Sequence, residues 1–353
     1  PLAASFAPPF VASRARILAE ASPLTVAICT RDRPDCLRRC LASVLVQSHP
    51  RYTVVVVDNA PRDGRTGAVV RELAADGRVP VAYVVEPAPG LARARNRALD
   101  VADTDAIAWL DDDEVADPDW LAEIARGFET HPDVGAVAGV MVPGSLDTAA
   151  QIWFEQYGGH NKHRGFTPAI FSSVGGSGQN PLYPLPPFGT GGNMAFRRDA
   201  LRRIGGFNPA LGAGSWALSG EDTRAFTDLL RAGGSIAYQP TAITHHFHRR
   251  SKRQLRRQMY GVGAGLTAYY ASMVLDDLGV LPQLRGLLPD AARDLFGAES
   301  LRSGHLPVDF PADLRWANRL GMLSGPWRYL AAWLRFQAGP RHAAGGGAPG
   351  SGP

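Results

Sequence analysis

Residues 24–58 read LTVAICTRDRPDCLRRCLASVLVQSHPRYTVVVVD, and this stretch decides the fold class. The run LTVAIC at 24–29 is short, apolar and rich in β-branched residues, which reads as a buried strand. Asp35 stands at an expected N-cap, and Leu37, Cys40, Leu41, Val44 and Leu45 follow at helical spacing. YTVVVV at 52–57 is a second fully apolar strand, closed by Asp58. The alternation continues outward. A helix is expected over 66–75, a strand over 79–85, a break at Pro89-Gly90, a helix over 91–101 and a strand over 106–110. That last strand runs into Asp111-Asp112-Asp113-Glu114. Near-continuous apolar strands alternating with helices imply a parallel sheet covered on both faces. Ligands of such sheets bind at the carboxyl ends of the strands, which is where Asp58 and residues 111–114 fall.

Composition limits the rest. The chain has 353 residues, 45% of them hydrophobic and 20% charged, so a large core is available and wholesale disorder is excluded. Gly (39) and Pro (28) make up about a fifth of the chain without a collagen-like period, and so mark loops. The net charge is +4, and Lys162 and Lys252 are the only lysines, so nearly all the positive charge is arginine. Arginine pairs bidentately with phosphate and carboxylate. The three cysteines, Cys29, Cys36 and Cys40, lie within twelve residues, which argues against a disulfide framework and for a reducing compartment. No apolar run reaches the 18 or so residues of a membrane span, so the expected location is cytoplasmic, with room for peripheral contact at the inner face of the membrane.

Beyond Val142 the regularity weakens. Residues 143–190 read as a loop-rich insertion on the acceptor side. A strand is expected over 192–196, helices over 198–204 and 221–232, and a strand over 235–240. A long helix is expected over 252–275 and another over 313–335. Residues 1–22 read as an extension and 337–353 as a flexible tail. The second long helix carries Trp316, Trp327 and Trp333 with few charges, which favours packing over membrane contact.

Four carboxylates on one loop repel one another unless a cation neutralises them, and hard divalent cations take oxygen ligands shared with substrate phosphates. The stretch THHFHRRSKRQLRR gathers His245, His246, His248 and six basic residues without an acid. Its spacing is unlike a structural zinc site, and no nucleic-acid fold accompanies it.

Six segments occur in order: VAICTRDRPDCLRRCLASVLVQ, VVVVDN, PGLARARNRAL, AWLDDDEVADPDWL, TGGNMAFRRDALRRIGGFNP and GEDT. This succession resembles the inverting family-2 glycosyltransferases over roughly residues 23–250. The resemblance implies a GT-A fold, a Rossmann-like, mostly parallel central sheet flanked by helices, here with a C-terminal helical region at 251–336. It implies an enzyme that moves a sugar from a nucleotide-diphosphate donor to an acceptor hydroxyl with the help of Mn²⁺ or Mg²⁺. Thr30, Arg33, Asp58, Arg95 and Asn96 would bind the nucleotide. Asp111 and Asp113 form the DxD motif, with Asp112 between them, and Asp113 would be the metal ligand alongside Asp111. His246 or His248 would complete the metal sphere, and Gly192-Asn193 would lie beside the sugar. Asp222 would be the general base, with Glu221 next to it. Arg249 or Arg253 would meet the diphosphate. The acceptor is a saccharide, a lipid-linked carrier or a small molecule, and a homodimer is compatible with the pattern. A sugar-1-phosphate nucleotidyltransferase is the competing enzyme class. It is expected to carry a glycine-rich loop after its first strand, where this chain has TRDRPDC. A non-catalytic nucleotide-sugar-binding module is the third reading, and the intact Asp111, Asp113 and Asp222 argue against it.

Overall fold

A computed structural model describes residues 9–161, 164–172, 188–296 and 306–338. Most of the expected tail and much of the 143–190 insertion lie outside the described residues. After a helix α1 (Pro9–Glu20), the first half follows the expected alternation: β1 (Leu24–Thr30), α2 (Pro34–Val44), β2 (Tyr52–Asn59), α3 (Arg65–Leu73), β3 (Val81–Glu86), α4 (Leu91–Val101) and β4 (Ala106–Asp111). Pro34 opens α2, where a missing N–H costs nothing. The N-cap is Arg33 rather than the expected Asp35, which sits one position inside, where its charge suits the helix dipole.

The second half comprises β5 (Glu114–Ala116), α5 (Trp120–Thr130), β6 (Ala136–Pro143), α6 (Ala149–Gln156), β7 (Ala169–Ser172), β8 (Asn193–Arg197), α7 (Arg198–Arg203), α8 (Glu221–Arg231) and β9 (Ser235–His246). One sheet runs β3-β2-β1-β4-β8-β6-β9-β5, with β7 also on β9. Strands β1 to β4 pair in parallel, as expected. Beyond β4 the sheet is mixed. β8 runs antiparallel to β4 and β6, β6 is parallel to β9, and β5 and β7 are antiparallel to β9. The only continuous parallel block is therefore β3-β2-β1-β4.

Alternating side chains feed two cores. Val26, Ile28, Val54 and Val56 join Leu37, Leu41, Trp120 and Phe128 on one face. Ala27, Val55, Val57 and Trp109 join Phe196, Phe207 and Phe226 on the other. This is what doubly covered apolar strands require.

β9 continues six residues past the expected end at 240. A register shift between Ala138 and Val140 lets β6 follow it past Pro240, and β5 then pairs with it, Glu114 opposite His246. That extension carries the histidine-rich stretch to the acidic run.

Among the described residues, three α-helices follow the sheet: α9 (Lys252–Asp276), α10 (Leu281–Phe296) and α11 (Ala312–Ala338). α9 and α11 meet through glycines. A Cβ on Gly263 would stand 2.1 Å from Asn318 O, and one on Gly321 2.1 Å from Tyr260 O. The pair packs on the sheet domain through Leu255, Met259 and Leu314 against Phe154, and through Ala268 and Tyr329 against Leu211. No described helix is long and apolar enough to cross a membrane.

Candidate active site

The ends of β1 and β4 meet at one rim. Thr30 Oγ1 donates to Asp112 Oδ2 at 2.7 Å, and Arg33 donates from Nη1 to Asp112 and from Nη2 to Asp113 at 2.9 Å. Burial pushes Asp112 up to about 7 against the pull of Arg33. Burial acts on Asp113 in the same direction, but His246, Arg33 and Arg249 outweigh it and hold Asp113 far below the usual carboxylate range. The two neighbouring carboxyls are thus shifted in opposite directions.

His246 Nε2 lies 3.5 Å from Asp113 Oδ1. Behind it, His246 Nδ1 and His248 Nδ1 are 2.6 Å apart, and His248 Nε2 is 2.7 Å from Glu155 Oε1. His160, from the loop after α6, packs tilted against His246 with ring centroids 4.4 Å apart. The ring nitrogens of His160, His246 and His248 all lie within 4.8 Å of one another.

A second cluster is organised by Arg95, which is 1% exposed. Its Nη1 donates to Glu221 Oε1 at 2.9 Å, and its Nη2 to Asp111 Oδ1 at 3.1 Å and Gly191 O at 2.9 Å. One guanidinium so ties β4, the turn before β8 and the start of α8. Burial pushes Glu221 up to about 7 despite Arg95, with Asp222 adding to the rise. Asp222 differs: its Oδ2 accepts from Gly191 N and its Oδ1 from Thr223 N, both at 2.7 Å. The two glycines of the turn are set by close approach. A Cβ on Gly191 would lie 2.8 Å from Arg95 Nη1 and 2.9 Å from Asp222 Cβ, and one on Gly192 would lie 1.9 Å from Glu114 Oε1. Glu114 is buried, and burial with Asp111 beside it raises its carboxyl well above the usual range.

Two cavities open on this rim. One, of about 360 Å³, is lined by Thr30, Arg33, Asp111, Asp112, Asp113, His246 and Arg249. The other, of about 230 Å³, is lined by Arg95, Gly192, Glu221, Asp222 and Tyr269. Leu91, Asp111 and His160 belong to both, so the cavities meet at Asp111.

Five expected residues lie outside both linings, and one of them, His248, stands behind His246. Asp58 accepts from Tyr83 Oη at 2.7 Å, and its neighbour Asn59 lines the larger cavity instead. Asn96 is paired in both directions with the Phe207 backbone at 2.8 Å. Asn193 ties β6 and β9, donating to Val140 O and Ala242 O at 2.9 Å. Arg253 lies exposed in the first turn of α9. Arg95 lines the smaller cavity while its two Nη atoms are held by Glu221, Asp111 and Gly191. Among the residues the motifs did not assign, Glu114 closes the quoted acidic run. Glu155 and His160 come from the insertion, where no periodic signal singled them out.

A mixed sheet flanked by helices, with an acidic rim where its parallel strands end, has the architecture of the GT-A glycosyltransferases. A solved structure shares the fold: the mannosyltransferase PcManGT from Pyrobaculum calidifontis superposes with a TM-score of 0.54 at 20% identity, covering 94% of this chain and 82% of that one. The family model "Glycosyl transferase family 2" matches residues 25–205, more than half of the chain, and the chain belongs to that family. It is similar to the succinoglycan biosynthesis protein ExoM of Rhizobium meliloti, 31% identical over 227 residues. That match covers 63% of this chain and 66% of the relative. A glucosyl-dolichyl phosphate glucuronosyltransferase of Haloferax volcanii is 24% identical over 192 residues, covering 54% of this chain and 57% of the relative.

Proposed function

We propose that this family-2 glycosyltransferase transfers a glycosyl group from a nucleotide-diphosphate sugar to an acceptor hydroxyl with inversion. The observation that carries this reading is the junction at Asp111, where the cavity bearing Asp113, Arg33 and Arg249 meets the cavity bearing Asp222. In this reading the larger cavity takes the donor and the smaller one the acceptor. Asp222 takes the proton of the attacking hydroxyl, since both acids line the cavity but Glu221 is buried and committed to Arg95 while Asp222 is only half-buried. Arg33 and Arg249 turn from Asp113 to the diphosphate oxygens as these enter.

A divalent cation fits the residues present, and the tautomers support it. A carboxylate only accepts hydrogen bonds, so His248 Nε2 donates to Glu155 and His248 Nδ1 accepts from His246 Nδ1. His246 Nε2 is left facing Asp113 Oδ1 at 3.5 Å, where a proton on it holds the carboxylate low and loss of that proton leaves a nitrogen lone pair beside a carboxylate, the donors a divalent cation takes. Asp113 and His246 would hold the ion, which when bound neutralises the departing nucleotide. The Pyrobaculum mannosyltransferase structure contains GDP-Man and Mn²⁺, which supports the same use here without choosing between Mn²⁺ and Mg²⁺.

The direct test is donor hydrolysis and thermal stabilisation by UDP-, GDP- and dTDP-sugars with Mn²⁺ or Mg²⁺. A donor that raises the midpoint and is hydrolysed only with metal supports the reading. No turnover of any donor with the candidate acceptors would leave a binding module. For the relay behind His246, Glu155→Ala is expected to weaken Mn²⁺ binding about tenfold or more by frees-of-orientation loss at His246, read by Mn²⁺ electron paramagnetic resonance. Glu155→Asp recovers part of that affinity, and unchanged affinity in Glu155→Ala would remove the relay from the metal site.

A further inference from the structure

The C-terminal helices carry a surface that the catalytic reading does not use. α11 buries one face on α9 through Leu314, Asn318, Met322 and Tyr329. Its opposite face is also apolar and is open to solvent. Trp316 is 58% and Trp327 74% exposed, and Leu320, Leu323 and Leu334 lie exposed with them. Their spacing of four, three, four and seven residues is a single stripe, about 27 Å long at 1.5 Å per residue. The expected burial of the aromatics is therefore met on one side only: Trp333 packs against the core, while Trp316 and Trp327 do not.

The stripe borders positive charge. A groove of about 720 Å³ between α9 and α11 has Trp316 and Leu320 on one wall and Arg256, Arg257 and Tyr260 on the other. Arg256 and Arg257 are exposed on α9 and take part in none of the ion pairs among the described residues. The acid in the groove, Asp313, is already paired with Lys252 at 2.8 Å. Arg319 lies over the Trp316 ring at 5.5 Å, and Arg335 over the Trp216 ring at 5.6 Å, so aromatic and cationic groups alternate along the surface.

We propose that this face docks on an anionic phospholipid surface, with α11 lying in the interface plane. Tryptophan is suited to the boundary between headgroups and acyl chains, and arginine to lipid phosphate. The absence of any described helix apolar enough to span a membrane is consistent with a helix that lies along one. A second copy of the chain is a poorer occupant. A two-fold interface brings the patch against itself, and the acid that lines this groove, Asp313, is already paired with Lys252 rather than offered to Arg256 and Arg257 of a second copy.

The test is flotation of the full chain with vesicles of phosphatidylcholine alone or with ~30% phosphatidylglycerol. Binding is expected to the anionic vesicles only, and to weaken at about 0.5 M salt, where the Debye length falls to roughly 4 Å. Trp316→Ser with Trp327→Ser, and separately Arg256→Gln with Arg257→Gln, are each expected to lower the bound fraction at least tenfold. Both keep the thermal midpoint and donor hydrolysis of the parent, since these side chains are exposed and outside the catalytic cavities. Equal binding to neutral vesicles, or undiminished binding by either variant, overturns the proposal. So does concentration-dependent self-association that Trp316→Ser abolishes, which would make the face an interface between copies.

Discussion

Asp113→Asn is expected to fold and to lose both transfer and donor hydrolysis by about a thousandfold, equivalent to roughly 4 kcal/mol of transition-state stabilisation. The reason lies in what surrounds the carboxylate. Arg33 at 2.9 Å, His246 at 3.5 Å and Arg249 at 3.5 Å converge on it and keep it ionised against its own burial. Asparagine keeps the shape and one acceptor oxygen but removes the charge that a hard cation requires. The loss should therefore appear in metal dependence as well as in rate. Stabilisation by a nucleoside diphosphate plus Mn²⁺ should shrink to what the nucleotide achieves alone. Asp112→Asn is the control. Asp112 faces Thr30 and Arg33 rather than a histidine, so its loss should loosen the rim and leave metal dependence intact. Unchanged hydrolysis in Asp113→Asn would overturn the assignment of Asp113 as the metal ligand.

The contrast between these neighbours shows what the sequence could and could not reveal. Strands β1, β2 and β4 were legible because each is a continuous apolar run, and the rim position of Asp111–Asp113 followed from where those runs stop. Residues acting through local pattern were therefore found. The contacts made across the sheet were not legible, even where the residues were named. Arg95, Asp111, Gly191 and Glu221 are held together by one guanidinium, yet Arg95 and Glu221 are 126 residues apart. Nothing in the ARN segment distinguishes a buried strut from a nucleotide contact. The reach of β9 to His246 was missed because Pro240 reads as a strand end, whereas here a register shift in β6 accommodates it. Glu155 and His160 were missed for a related reason. They come from a segment without periodicity, and their meaning depends on the two histidines that β9 delivers. The parallel pattern was read correctly for the first half of the sheet. Strand β8 was expected over 192–196, but a short run between loops carries no sign of its direction, and the antiparallel pairing of β7 and β8 was not legible.

Asp222→Asn tests the other cavity, and its expected signature is the reverse of the first. Transfer should fall about 10²–10⁴-fold, the usual worth of a positioned general base, while donor and metal binding change little. The structure supplies the reason for that separation. Glu221, one residue earlier, is buried, paired with Arg95 and joined through it to Asp111. Removing that charge would strand a buried guanidinium and disturb both cavities. Asp222 takes no part in the Arg95 ion pairs and is held by two backbone donors, Gly191 N–H and Thr223 N–H. Asparagine can accept only one of them with its single oxygen, a loss of about 1 kcal/mol that a family-2 domain of this size tolerates. What it cannot do is take a proton. Donor affinity measured by calorimetry with Mn²⁺ and single-turnover transfer measured on the same sample separate the two effects. Retained affinity with lost transfer is the result expected of a base. If affinity falls in step with transfer, Asp222 is a strut for the Gly191-Gly192 turn, and the proton must leave by another group lining the same cavity.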